Sequence, residues 1–115
     1  MSDRTYLDYL ADILDSLAKA QVFVAGMTLE DFSRDDKSSY AVVRALEIVG
    51  EATKCLPPEL RDRYPQIPWR DMAGMRDKLI HHYFGVDLAV VWETAVDEAP
   101  VLEAQIRSVL SKLKS

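Results

Sequence analysis

The sequence predicts an all-α domain, an up-and-down bundle of four to five helices. Three observations predict the class. Apolar residues recur at three-and-four spacing in several long segments, no segment alternates with a two-residue period between turn signals, and proline and glycine mark short connectors. With 115 residues, 49% of them hydrophobic and 29% charged, the chain fits one compact domain over residues 1–115. It holds no repeat, low-complexity tract or flexible linker.

The first helix is expected over residues 3–24, where Tyr6, Leu10, Ile13, Leu14 and Leu17 line one face. Ala25, Gly26 and Met27 interrupt it, and Thr28 followed by Asp31 has the form of an N-cap with an acidic first turn, opening a short helix through Phe32. Asp35 and Asp36 open a second long helix to about Cys55, with Tyr40, Val43, Leu46 and Val49 apolar. Gly50 inside it costs about 1 kcal/mol relative to alanine and so marks either a close helix contact or simple tolerance.

Pro57 and Pro58 end that helix, and one helical turn fits residues 59–64. Pro68 suits the first position of a helix continuing from Trp69 to about Tyr83, where Gly85 stops it. Asp87 caps a helix over residues 88–97, and Pro100 breaks or kinks the chain before a last helix through Ile106 and Leu110. Trp69 and Trp92 are read as packing residues.

Charge and composition narrow the function. Fourteen Lys and Arg against nineteen Asp and Glu leave a net charge of −5, so no overall positive field draws nucleic acid in, and any RNA contact must be local. No long apolar run follows Met1, Ser2, Asp3 and Arg4, so neither a signal peptide nor a membrane span is expected, and a cytoplasmic location is. Cys55 is the only cysteine, which excludes an internal disulfide and a cysteine zinc cluster. The only histidines, His81 and His82, are adjacent, which argues against a histidine metal cage; no metal or other cofactor is expected.

The stretch from Met72 to Phe84 places a cation, an imidazole and a phenol within eight positions. At about 100° per residue, Met72, Met75, Leu79 and Tyr83 share a core face with Arg76 at its edge. Asp77 and His81 are four apart, so the carboxylate can orient the imidazole. Arg76 and His81 are about 140° apart on one straight helix, so either the helix distorts or two copies complete the site across a two-fold axis. Cleavage of RNA without a metal needs a group to take the ribose 2′-OH proton and a cation to steady the phosphate, tasks that suit histidine and arginine. Without further knowledge, such an Arg and His are more often a salt bridge and a cap or interface residue. His82 reads as a surface residue or one set against the helix dipole. Arg44, Glu47, Glu51 and Lys54 fall on one stripe of the second long helix: a solvated ladder, or a candidate interface or site lining.

The arrangement Arg76, four residues, His81, His82, Tyr83 resembles the signature of HepT-type toxins of the HEPN superfamily. The resemblance runs along almost the whole chain. It takes in the Gly26-Met27-Thr28 turn with Glu30, Asp31 and Phe32, then Glu47-Ile48-Val49-Gly50-Glu51-Ala52 and Leu56-Pro57-Pro58-Glu59-Leu60. It continues through Tyr64-Pro65-Gln66-Ile67-Pro68-Trp69, Tyr83-Phe84-Gly85-Val86-Asp87 and Val91-Trp92. It implies a metal-independent endoribonuclease, a homodimer of helical bundles, encoded beside a minimal nucleotidyltransferase antitoxin. Carried over, Arg76 and His81 are the catalytic pair and Tyr83 the acceptor of AMP groups, whose bulk and charge obstruct RNA. The position after the motif histidine is often acidic in such proteins and is His82 here, which alters the local charge.

Two other functions compete with an RNA-cleaving toxin. One is a non-catalytic helical partner that binds a nucleotidyltransferase and presents Tyr83 to it, consistent with the negative charge. The other is a structural oligomer held by ion pairs of Arg44, Glu47 and Glu51, which leaves the grouping of Arg76, His81 and Tyr83 without a reason.

Overall fold

A computed structural model describes residues 4–79 and 85–115. It is all-α, and no extended strand occurs among the described residues. The elements are α1 (Tyr6–Val24), α2 (Leu29–Arg34), α3 (Asp36–Lys54), α4 (Pro58–Arg63), α5 (Trp69–Ala73), α6 (Met75–Leu79), α7 (Leu88–Glu93), a π-helical turn (Thr94–Glu98) and α8 (Ala99–Lys114).

Side-chain caps set the starts of α1, α2, α3 and α7. Thr5 and Asp8 form a capping box at α1, and Thr28 and Asp31 form one at α2. Asp35 caps α3 by accepting from the Ser38 amide, and the Ser38 hydroxyl, with that amide, lowers the Asp35 carboxyl from its ordinary value. Asp87 accepts from the amides of Ala89 and Val90 at the start of α7. Gly26, at φ 76°, supplies the left-handed turn that separates α1 from α2.

The long helices α1, α3 and α8 pack side by side, with α1 against both others. Their shared core contains Leu10, Ile13 and Leu17 from α1, Val42, Leu46 and Val49 from α3, and Ile106 from α8. Each such buried aliphatic side chain contributes about 1.5–3 kcal/mol relative to leaving it in water. The short α5 and α6 lie on α3, and α7 reaches α2 and α6. Trp69 is buried with its indole N–H on the Tyr64 carbonyl (2.9 Å), and Trp92 donates to the Met27 carbonyl (3.3 Å). Both tryptophans are packing residues as expected.

Three elements differ from the sequence expectation. The helix expected from Trp69 to Tyr83 is interrupted at Gly74, whose amide closes α5 on the Arg70 carbonyl while its own carbonyl accepts from Lys78. The described helix then ends at Leu79; the expected continuation through Tyr83 lies outside the described residues. Pro100 does not separate two helices. The helical path runs on from residue 88 to 114, and the π turn just upstream, closed by the Ala99 amide on the Thr94 carbonyl, absorbs the proline. A regular helix would aim the Val96 carbonyl at the Pro100 ring, and the wider turn relieves that clash.

The third difference concerns Tyr40, which is 79% exposed rather than on the buried face of α3. It lies about 120° from Leu46 around the helix, and the core face is set by Val42, Ala45, Leu46 and Val49 instead. Tyr6 is likewise exposed at the end of α1.

Candidate active site

The motif helix is seated by its apolar residues. Met72 on α5 and Met75 and Leu79 on α6 are almost fully buried, as the helical arithmetic expected. They fit closely on α3 because Gly50 offers no side chain. A Cβ there would lie 3.3 Å from the Met72 carbonyl oxygen and 3.4 Å from that of Ala73. Gly50 thus marks a close helix contact, the first of the two readings its position left open.

With that face held down, Arg76, Asp77 and Lys78 are turned outward. The Arg76 side chain is 65% exposed, and its Nε stands 3.6 Å from Oε2 of Glu47 on α3. Glu47 is much less exposed, at 23%, so the carboxylate is the fixed member of the pair. The contact uses Nε and leaves the two terminal guanidinium nitrogens without a partner among the described residues. That is the half of the fork that can hold two phosphate oxygens.

Lys78 points the other way, to Glu98 of the π turn, with Nζ 2.6 Å from the carboxylate. Asp77 lies between them, exposed, and makes no hydrogen bond or ion pair with a described residue. Its expected partner His81, together with His82 and Tyr83, lies outside the described residues. The ends of the stretch that carries them are held together, since the Asp87 amide donates to the Leu79 carbonyl (3.0 Å).

The stripe on α3 divides. Arg44 and Glu51 are both 62% exposed and form a loose pair at 3.9 Å, whereas Glu47 serves the motif arginine. The role of Glu47 toward Arg76 was missed by sequence reasoning because the two meet only through tertiary packing. Among the described residues no group of three His, Cys, Asp or Glu side chains is gathered closely enough to hold a metal ion, and no helix is long and apolar enough to cross a membrane.

Residues 13–109 match the model of the HepT-like ribonuclease family. The chain belongs to this family. Similar proteins agree in name and extent. One from Thermococcus cleftensis, named "Probable ribonuclease HepT", is 45% identical over 92% of this chain and 96% of its own length. Proteins named as candidate RNases are 45% identical in Caldanaerobacter subterraneus subsp. tengcongensis, over 96% of each chain, and 42% identical in Methanocaldococcus jannaschii, over 99% of this chain and 98% of the relative. No solved structure matches the chain. The all-α architecture is that expected of a HEPN-like HepT protein.

Proposed function

We propose that this HepT-like chain is an endoribonuclease that cuts RNA without a metal ion and acts as the toxin of a toxin–antitoxin pair. The observation that carries the reading is the exposed Arg76 guanidinium, steadied at Nε by Glu47 and with its terminal nitrogens unpaired among the described residues. It is an anion-binding fork placed five residues before the only two histidines of the chain.

In the proposed reaction His81 takes the proton from the ribose 2′-OH, and the 2′-oxygen attacks the adjacent phosphorus. A 2′-O–P bond forms and the P–O5′ bond breaks. The leaving 5′-oxygen collects a proton from the imidazolium or from water, so the products are a 2′,3′-cyclic phosphate and a 5′-hydroxyl end. Arg76 stabilises the added charge on the non-bridging oxygens at the pentacoordinate stage. Asp77, four residues before His81, orients the imidazole. Two copies of the chain complete the site, which supplies the convergence that one straight helix denies to Arg76 and His81.

The proposed partner is a minimal nucleotidyltransferase that silences the toxin by transferring AMP to Tyr83. Each AMP adds a phosphate charge and a bulky nucleoside beside the site that must receive an RNA phosphate.

The test is direct. In excess EDTA the protein should still cut single-stranded RNA and leave 2′,3′-cyclic phosphate ends, and incubation with the nucleotidyltransferase and ATP should add AMP to Tyr83 by mass spectrometry and stop the cutting. A requirement for added Mg²⁺ would contradict the mechanism. AMP addition to a protein with no RNase activity would favour the substrate-presenting partner instead.

A further inference from the structure

Ion pairing among the described residues is uneven. Arg4, Lys19, Arg34, Arg44, Arg76, Lys78 and Arg107 each face a carboxylate. The other seven of the fourteen Lys and Arg residues form no ion pair with a described residue; among them, Arg61 of α4 and Arg70 of α5 also make no side-chain hydrogen bond to a described residue. Arg61 is also half-buried, so part of its surface has left water without gaining an acceptor for its donors. In a chain of net charge −5, two such guanidiniums lining one place give it a local positive excess.

The place is one groove of about 570 Å³ between α4 and α5, which Arg61 and Arg70 both line. Pro58, Pro65 and Pro68 contribute to its apolar lining. Asp62 is the only carboxylate lining it. Ala73 also lines the groove, and its carbonyl oxygen lies close to Gly50 of α3. Glu47, which holds Arg76, is three residues from Gly50 on the same helix, a rise of about 4.5 Å. The groove lining and the candidate catalytic arginine thus both touch α3, at Gly50 and Glu47.

We infer that Arg61 and Arg70 form a phosphate-binding subsite that holds the nucleotides flanking the cleavage point of a single-stranded RNA. The inference rests on the RNA-cleaving reading for the choice of ligand and extends it to residues outside the motif. The two guanidiniums hold backbone phosphates, and the proline surface between them accepts ribose and base faces without reading sequence. Since such contacts are to the backbone, they set affinity and position, not base preference. The subsite also gives an acidic protein the local contact that its overall charge denies.

The test uses the full-length His81→Ala protein, so that RNA stays intact, and a fluorescein-labelled single-stranded RNA of mixed sequence, followed by polarisation over a range of salt concentrations. Adding Arg61→Ala and Arg70→Ala should raise Kd about tenfold and lower the salt slope by about 1.4, two contacts at about 0.7 each. Arg107→Ala removes a cation already paired with Glu103 and should change neither quantity. Asp62→Asn should tighten binding, an outcome that misfolding cannot imitate. Unchanged Kd and slope in the double variant, or no RNA binding by the parent protein, would overturn the subsite. Cleavage by the unmutated chain in EDTA reports separately on the catalytic reading: cutting with arginine-independent binding sinks the subsite alone, and arginine-dependent binding without cutting upholds the subsite and sinks the nuclease.

Discussion

Arg76→Ala should lower single-turnover RNA cleavage about 10²–10³-fold, the usual cost of removing a donor that meets charge only as it develops. Stability should hardly change. Arg76 is 65% exposed and its contact with Glu47 is 3.6 Å long, so the pair is worth about 1 kcal/mol at most. Arg76→Lys should recover only part of the lost rate, because a lysine keeps the charge but presents a point in place of a planar fork. Glu47→Gln is a positioning change: it leaves the fork in place but frees its base, and should cost no more than about fivefold, the equivalent of the ion pair itself. The checks are rate constants at saturating enzyme alongside thermal melts. A rate unchanged in Arg76→Ala would remove the proposed phosphate contact.

The second large effect is on packing. Gly50→Leu must push a side chain into the space where backbone carbonyls of Met72 and Ala73 already stand 3.3 and 3.4 Å from the position of a Cβ. Backbone cannot rotate away as a side-chain tip can, so α5 and α6 must lift from α3. Overpacking of this kind costs about 3 kcal/mol, which lowers Tm by roughly 10 °C or more in a domain of this size. Cleavage should fall as well, since Arg76 rides on α6 while Glu47 stays on α3. Gly74→Ala is the contrasting case. Its Cβ would meet the Arg70 carbonyl oxygen at 3.4 Å, an ordinary contact, and the melting temperature should stay within a few degrees. Circular dichroism melts decide both; a Gly50→Leu protein as stable as the parent would show that the close contact is not what seats the motif helix.

What the sequence made legible was mainly local. Thr28, Asp35 and Asp87 carry their capping chemistry within three residues of the helix they start, and each helix begins where those side chains place it. The buried face of Met72, Met75 and Leu79 is equally local, a matter of three-and-four spacing. What escaped depends on neighbours distant in the chain. Tyr40 has the composition of a core residue and is exposed because packing put Val42, Ala45, Leu46 and Val49 on the buried face of α3 instead. The break at Gly74 comes where the two short helices α5 and α6 settle on α3. Glu47 looked like one member of a surface stripe until packing set Arg76 beside it. Arg61 and Arg70 are nine positions apart, and only the groove between α4 and α5 shows them as a pair; four cations against two carboxylates over residues 54–70 were the available hint.

The central claim is that the Arg76 guanidinium and the His81 imidazole act on one phosphodiester. A double-mutant cycle on single-turnover cleavage in EDTA tests it most directly, comparing Arg76→Ala, His81→Ala and the two together. Groups that serve one transition state lose their effect together, so the double variant should be scarcely slower than the slower single variant. Rate losses that multiply would show that the two side chains act independently and would contradict the account.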